Sequence, residues 1–204
     1  MMVEVLKKEE LLDRISQKCK SCSLCPLHGG RIQAVFGEGN PDAILMFVGE
    51  GPGADEDRLG RPFVGKAGQL FDRILASVGI SRSEVYITNV VKCRPPNNRV
   101  PTTEEMSACR PFLDAQIAII NPRIIVTLGS TSTKALLPSA GSITKVRGRW
   151  FDWRGGIRVF PMFHPSFLLR NPAFTPGSPK SLTWEDIKEV SRVYKKLKED
   201  AEGR

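Results

Sequence analysis

Five cysteines stand in this chain, and three of them fall within the seven-residue stretch CKSCSLC. These are Cys19, Cys22 and Cys25, whereas Cys93 and Cys109 lie far along the chain and well apart from each other. Four thiolates can hold either a structural zinc ion or a [4Fe–4S] cluster. Zinc sites usually pair two close C-x2-C knuckles, so the wide second pair favours iron and sulfur. The spacing leaves open which of the first three cysteines is the spare one.

A second group of polar residues follows the apolar runs of the sequence. Glu50 and Gly51 come after the first run, and Asn89 ends the second. Ser130 comes just after the third run, and His164 follows the fourth. In an open parallel sheet, ligands bind beyond the carboxyl ends of the strands. We therefore expect these residues to share one site.

One glycine-rich stretch, GRPFVGKA at 60–67, nearly matches the phosphate-binding P-loop. It has Ala67 where a serine or threonine should bind magnesium. It also follows the acidic run ADEDRL and not a buried strand. These two departures argue against a nucleotide hydrolase.

The elements that must position these residues are predicted by apolar patterns. Four short apolar runs alternate with helical patterns, which is typical of a parallel sheet covered on both faces. The predicted strands cover 43–49, 85–91, 123–129 and 157–163. The predicted helices cover 4–18, 66–78, 102–120, 130–137 and 183–197.

Two details of these elements can be predicted. Thr102 and Glu105 have the spacing of a capping box at the start of the third helix. Pro111 should kink or split that helix, because proline lacks the N–H that an interior helical position donates. The long proline-rich loops at 93–101 and 164–183 are typical of functional segments.

Length and composition limit the class of protein. At 204 residues the chain suits a single domain over 1–204, with a metal-ligand segment within 1–30. Its apolar runs are too short to cross a bilayer, and the charged N-terminal residues do not resemble a secretory signal. We therefore expect a cytoplasmic protein without a membrane partner, in which thiols stay reduced.

The net charge of +8 favours a polyanionic partner. Nucleic acid is the first candidate, because neutralising its phosphates releases condensed counterions.

The order of several segments resembles the family 4 uracil-DNA glycosylases, the thermostable iron–sulfur type. Each segment alone is weak evidence, but together they span most of residues 22–195. The matching segments are CSLC, VFGEGNPDA, VGEGPGADEDRLGRPFVGKAGQL, VYITNVVKCRPPNNR, ITKVRG and VFPMFHPSFLLRNP.

The resemblance implies a fold, an activity and a cofactor. The fold is a three-layer α/β/α sandwich around a four-stranded parallel sheet. The activity is removal of uracil from DNA by hydrolysis of its N-glycosidic bond. The cofactor is a structural [4Fe–4S] cluster, whose ligands by this resemblance are Cys22, Cys25, Cys93 and Cys109, with Cys19 as the spare. We further expect a monomer with uracil-containing DNA as its partner.

The resemblance also assigns roles in the site. Phe63 resembles the aromatic residue that stacks on the flipped base, and Asn89 resembles the residue that reads the Watson–Crick edge. His164 resembles the donor to uracil O2. Backbone groups of Gly51 and Pro52, together with Glu50, correspond to the first motif of the family.

Two assignments are less definite. The carboxylate that orients water is either Glu50 or Glu56, and Glu56 could instead exclude the 5-methyl group of thymine. Leu168, Leu169 and Arg170 resemble the segment that enters DNA, although one leucine could equally be packed in the core. The alternative function is a non-catalytic nucleic-acid-binding protein with a redox-sensing cluster, which would bind DNA without releasing a base.

Overall fold

The computed structural model describes residues 6–202, which form one six-stranded sheet between two layers of helices. The strands are β1 (Glu38–Gly39), β2 (Leu45–Gly49), β3 (Tyr86–Asn89), β4 (Ile124–Leu128), β5 (Phe151–Asp152) and β6 (Arg158–Met162). The helices are α1 (Lys8–Lys20), α2 (Ala54–Leu59), α3 (Lys66–Ala76), α4 (Thr103–Ile120), α5 (Ser130–Leu136), α6 (Ile143–Val146), α7 (Pro165–Arg170) and α8 (Pro179–Glu202).

The order of the strands is β1-β3-β2-β4-β6-β5. The four strands expected from the sequence are β2, β3, β4 and β6, and they form the parallel centre of the sheet. The expectation of a four-stranded sheet is nevertheless wrong, because β1 and β5 add an antiparallel strand at each edge. Each of these edge strands has only two residues, which is too short to show an alternating pattern.

Successive residues of the central strands point to opposite faces of the sheet. In β2, Met46 and Val48 enter a core shared with α1, α4 and α5. Leu45 and Phe47 enter a second core shared with α3 and α8. Because both faces are covered, all five residues of β2 are buried, and the expectation of a parallel sheet inside helical layers is confirmed.

Helix α4 begins at the expected capping box. The Glu105 backbone N–H donates to Thr102 Oγ1 at 3.2 Å, and the Thr102 N–H donates to Glu105 Oε2 at 2.8 Å. The helix continues through Pro111 to Ile120, so of the two expected outcomes, a kink or a split, the split does not occur. Proline removes one backbone hydrogen bond, whereas the buried Leu113 anchors the following turn in the core.

The ends of the chain are described in part. Helix α1 begins at Lys8, so the first residues of the expected helix over 4–18 lie outside the described residues. Helix α8 begins earlier and ends later than expected. Within residues 6–202, no helix is long and apolar enough to cross a membrane. The cytoplasmic location, the monomeric state and the single domain over 1–204 stay predictions.

Candidate active site

A cavity of about 820 Å³ lies where the four parallel strands end. We call it the sheet-edge cavity. Residues at or after the end of each of the four strands line it, as expected from the positions of the polar residues after the strands. Those predicted to bind or act on the base are all among its lining: Glu50, Gly51, Pro52, Glu56, Phe63, Asn89 and His164.

Asn89, the last residue of β3, is almost completely buried, with 2% of its surface exposed. Its side-chain Oδ1 has no hydrogen-bond partner within the described part of the chain. Gly49 is its neighbour on β2, and a Cβ there would lie 2.3 Å from Asn89 Oδ1 and 2.7 Å from Phe63 Cζ. A glycine at the end of β2 therefore leaves room for both side chains.

His164 stands directly before α7, and its ring caps that helix. The backbone N–H of Ser166 donates to His164 Nδ1 at 3.1 Å, and Ser166 Oγ lies 2.8 Å from the same nitrogen. Burial lowers the pKa of His164 to about 4, and the positive charge of Arg170 acts in the same direction. The imidazole is therefore neutral at pH 7. Because Nδ1 accepts a hydrogen bond, the ring proton is on Nε2.

Gly129 lies beside His164 and stands directly before α5. Its φ of +94° is a conformation that favours glycine, and a Cβ there would lie 3.0 Å from His164 Cβ. This residue therefore meets two requirements, a tight turn after β4 and close approach of the histidine.

Phe63 lies in the buried loop between α2 and α3. Its ring centroid is 5.1 Å from that of Phe71 and 5.7 Å from that of His164. Its φ of +53° is uncommon for a bulky residue and is strained. Arg82 stabilises this conformation, because its guanidinium donates to the carbonyl oxygens of Pro62 and Phe63.

The two candidate carboxylates have different surroundings. Glu50 is half-buried and accepts a hydrogen bond from the hydroxyl of Thr131. Glu56 accepts from three backbone N–H groups, those of Gly53 at 3.1 Å, Val64 at 2.9 Å and Gly65 at 2.8 Å. Its carboxylate therefore fixes the loop that carries Phe63. The position of Glu56 in the first turn of α2 was a signal for this role, because acidic residues there commonly cap the backbone.

The expected DNA-contacting residues separate into two groups. Leu168 has 1% of its surface exposed, so the expectation that it enters DNA is not supported, since its packing inside the protein would be lost. Leu169 is 42% exposed, and Arg170 is exposed and lines the sheet-edge cavity. Lys66 and Arg99 add two further basic side chains to the lining.

The cysteines line a second cavity, which we call the cysteine cavity. It lies between the segment after α1, the loop after β3 and helix α4. All five thiols belong to its lining, which is Cys19, Cys22, Cys25, Cys93 and Cys109 with Leu24, His28, Arg31, Lys92, Ala108 and Phe112. The expected spare cysteine therefore lies beside the expected ligands.

Two N–H groups contact sulfur in this cavity. Arg31 Nη1 lies 3.0 Å from Cys93 Sγ, and the Lys92 backbone N lies 3.3 Å from Cys109 Sγ. Burial raises the pKa of Cys19 to about 12 and that of Cys109 to about 11, while the charge of Lys92 opposes both shifts. Among the described residues, no group of three or more Cys, His, Asp and Glu side chains is arranged to hold a metal ion.

Several residues in or beside the two cavities are not indicated by the sequence. Thr131 and Arg82 act through contacts with residues distant in the chain, whereas Ser166 contacts its near neighbour His164. Lys92 is fully buried, although lysine is usually exposed. Its position within the apolar run VVKC was the only indication that it lies inside the protein.

Comparison with known proteins identifies the family. Residues 36–188 match the Uracil DNA glycosylase superfamily. The chain is 52% identical over 190 residues to a Type-4 uracil-DNA glycosylase of Thermotoga maritima, which covers 93% of this chain and 97% of that protein. The chain belongs to the type-4 uracil-DNA glycosylase family.

Other relatives place the chain within this superfamily. A Type-4 uracil-DNA glycosylase of Sulfurisphaera tokodaii is 48% identical over 190 residues, covering 89% of this chain and 84% of that protein. A Type-5 uracil-DNA glycosylase of Pyrobaculum aerophilum is 34% identical over 171 residues, covering 76% of this chain and 72% of that protein. Asn89 and His164 lie inside the superfamily match, whereas the cysteines of CKSCSLC precede it.

Proposed function

We propose that this type-4 uracil-DNA glycosylase takes uracil out of the DNA stack and hydrolyses the bond between its N1 and C1′ of deoxyribose. The products are free uracil and an abasic site, so the reaction begins base excision repair. The observation that carries this proposal is the buried Oδ1 of Asn89, a hydrogen-bond acceptor without a partner in the described residues, beside an aromatic ring and a neutral histidine.

Asn89 reads the edge of the base. Its Oδ1 accepts from uracil N3–H, and its amide N–H donates to uracil O4. Cytosine presents the opposite pattern, with an acceptor at N3 and an amino donor at C4. Leaving the buried Oδ1 unpaired against cytosine carries the desolvation cost of a buried polar group, about 1–3 kcal/mol.

His164 stabilises the departing base. As the glycosidic bond breaks, negative charge develops on uracil O2, and Nε2–H of the neutral imidazole donates to it. A donor that acts on charge developed in the transition state is typically worth ~2.7–4 kcal/mol. The contact between Nδ1 and the Ser166 N–H supports this role, because it keeps the proton on Nε2.

Phe63 supplies the face on which the flipped ring stacks. Its position is supported from two sides, by Arg82 at its carbonyl and by Glu56 at the next two backbone N–H groups. A rigidly held ring keeps the base aligned with the side chain of Asn89. Backbone groups of Gly51 and Pro52 contact the base on the side nearest β2.

Glu50 orients the water that attacks C1′. Both carboxylates line the cavity, but both oxygens of Glu56 are already engaged by backbone N–H groups. Glu50 has one contact, with the Thr131 hydroxyl, and keeps free acceptor capacity. The water oxygen bonds to C1′ as the bond to N1 breaks, and the proton of water ends on uracil. Glu56 positions Phe63 and the wall of the cavity.

The DNA strand lies across the rim of the sheet-edge cavity. Leu169 fills the gap that the flipped base leaves, and Arg170 contacts the adjacent backbone. Lys66 and Arg99 neutralise further phosphates, in agreement with the charge of +8.

The cysteine cavity holds a [4Fe–4S] cluster through Cys22, Cys25, Cys93 and Cys109. Two observations support such a group: the thiols line one cavity, and N–H groups of Arg31 and Lys92 donate to two of the sulfurs. When bound, the cluster ties the N-terminal segment to the loop after β3 and to α4. It takes no part in the hydrolysis.

Purified protein and a single-uracil oligonucleotide test the proposal. We expect free uracil and a site that alkali cleaves, with no release from the matched thymine or cytosine oligonucleotides. Binding of the uracil oligonucleotide without base release would favour the non-catalytic alternative.

A further inference from the structure

Lys92 is a fully buried cation at the centre of a polar network. Its Nζ donates to Thr88 Oγ1 at 2.5 Å, to the backbone oxygen of Asn89 at 2.8 Å and to Gln116 Oε1 at 2.6 Å. An ammonium group has three N–H donors, and these three neutral acceptors use all of them. The hydrogen bonds are satisfied, but the charge has no anion within the network.

The groups beside Lys92 that can become anionic are the cysteines. Within residues 6–202, the hydrogen-bond acceptors of Nζ are all neutral, and no carboxylate forms an ion pair with it. Lys92 is also part of the lining of the cysteine cavity. A buried charge is costly unless an opposite charge lies near it. Thiolates bound to a cluster of net negative charge provide that opposite charge.

Lys92 also connects the two cavities. Its backbone N–H donates to Cys109 Sγ, and its Nζ holds the backbone oxygen of Asn89, the residue that reads the base. We propose that Lys92 is a positioning residue that links the cysteine cavity to Asn89. Its ammonium is the counter-charge of the anionic group held by the cysteines, and it holds the backbone of Asn89 in place. This inference rests on the proposed roles of Asn89 and of the cluster.

Lys92→Met tests both parts of this proposal, the counter-charge and the hydrogen bond to Asn89. Methionine keeps an unbranched apolar side chain but removes the charge and the donors. Without the positive charge, adding an electron to the cluster becomes less favourable, so its reduction potential should fall. Without the hydrogen bond to Asn89, uracil release in a single turnover should slow by about tenfold or more. DNA affinity should stay unchanged, because Lys92 does not reach the surface.

Lys195→Met is the matched control, because it removes one lysine from the exposed face of α8. It should keep the wild-type potential and rate. If iron-loaded Lys92→Met also keeps both, the inference is overturned. A slower rate with an unchanged potential would equally overturn it, since the lysine would then be a local support for Asn89 and not a link.

Gln116→Glu provides a second variant that keeps the lysine. The new carboxylate lies beside Nζ and compensates its charge, while the hydrogen bond to Asn89 remains. We expect the potential to fall as in Lys92→Met, and the rate to stay closer to that of the wild type. Gln116→Glu provides the test if Lys92→Met does not fold or does not bind iron. An unchanged reduction potential in Gln116→Glu overturns the inference.

Failure of the proposed function gives different results. Wild-type protein without iron would remove the cofactor proposal, and with it the counter-charge. Wild-type rates in Asn89→Asp would remove the base-reading role whatever the Lys92 variants do. The Lys92 variants therefore test the inference only if the wild-type protein contains iron and Asn89→Asp is impaired.

Discussion

The sheet-edge cavity and the cysteine cavity lie on either side of the short segment from Asn89 to Cys93, yet they are built from opposite chemistry. The sheet-edge cavity presents neutral groups with open hydrogen-bonding capacity, such as Asn89 Oδ1 and His164 Nε2. The cysteine cavity gathers buried thiols whose pKa values are raised by burial, with Arg31 and Lys92 directed at them.

The difference agrees with what each cavity is proposed to bind. A neutral base is recognised by the direction of its donors and acceptors, so the site needs neutral groups held rigidly. An anionic metal cluster is held by bonds to thiolates, and thiolates in a buried site need positive charge nearby. Changes in the cysteine cavity should therefore affect stability first, and changes in the sheet-edge cavity should affect rate first.

The largest effect should come from the cysteines. Cys93→Ala or Cys109→Ala should lose the yellow-brown colour and the content of about four irons per chain, because each removes a ligand. The N-terminal segment would then lose its tie to α4, and a loss of ~3 kcal/mol lowers Tm by roughly 6–12 °C for a protein of this size. Iron analysis and thermal unfolding measure both.

Cys19→Ala is the internal control for this prediction. It should keep the colour and the iron, although removal of a buried side chain lowers Tm slightly. Loss of iron in Cys19→Ala, with none in Cys25→Ala, would reverse the assignment of the ligands.

The next effect should come from His164. His164→Ala should slow uracil release by roughly 10²–10³-fold, the loss expected for one transition-state donor, with DNA affinity and Tm close to those of the wild type. Single-turnover kinetics at saturating enzyme measure the rate. Ser166→Ala should change the rate little, because the backbone N–H that holds Nδ1 remains. An unimpaired His164→Ala enzyme would remove this residue from the reaction.

Asn89→Asp should alter the choice of base. In the variant, a carboxylate oxygen replaces the amide N–H that donates to uracil O4, so two acceptors face each other. This mismatch costs ~1–3 kcal/mol and slows uracil release by about 10- to 100-fold. The carboxylate can accept from the amino group of cytosine, but N3 also needs a proton. Any cytosine release should therefore be weak and should increase at lower pH. Oligonucleotides with a single U or C provide both rates, and wild-type uracil release would contradict the role of Asn89.

Substitution of Glu50 and substitution of Glu56 should slow uracil release by different factors. Glu50→Gln removes the charge that orients water, and general-base roles typically contribute 10²–10⁴-fold, so a loss of about 10²-fold is expected. Glu56→Gln keeps one acceptor oxygen for the loop and should lose about tenfold through the position of Phe63. The same kinetics decide between them. A larger loss in Glu56→Gln would assign the water to Glu56.

The stability of the protein should also depend on pH. The pKa of His164 is about 4 in the folded protein, below its usual 6.5, so the unfolded chain binds a proton first as the pH falls. The contribution of His164 to the free energy of unfolding is therefore constant above pH 6.5 and decreases between pH 6.5 and 4, by up to ~3 kcal/mol. Urea unfolding of wild-type and His164→Ala proteins at several pH values isolates it. A difference between them that does not change with pH would contradict the burial of a neutral ring.

The centre of the fold and the gathering of polar residues in one cavity could be predicted from the sequence alone. Continuous apolar runs predicted β2, β3, β4 and β6, because strands buried on both faces are mostly apolar. The ends of parallel strands lie at one edge, so Glu50, Asn89 and His164 could be brought together before any coordinates were known. The capping box at Thr102 is local, and it too was predictable.

Only the tertiary structure decided which groups have partners. The edge strands β1 and β5 are set by pairing with distant strands, and two residues have no periodicity that could reveal them. Glu56 and Glu50 look alike as carboxylates, and their surroundings differ because backbone N–H groups of a folded loop bind Glu56 and not Glu50. Leu168 and Leu169 are neighbours in the chain, yet the orientation of α7 buries the first and exposes the second. Lys92 shows the limit most clearly, since its burial depends on acceptors from β3 and α4 that meet only when the sheet and its covering helix have packed.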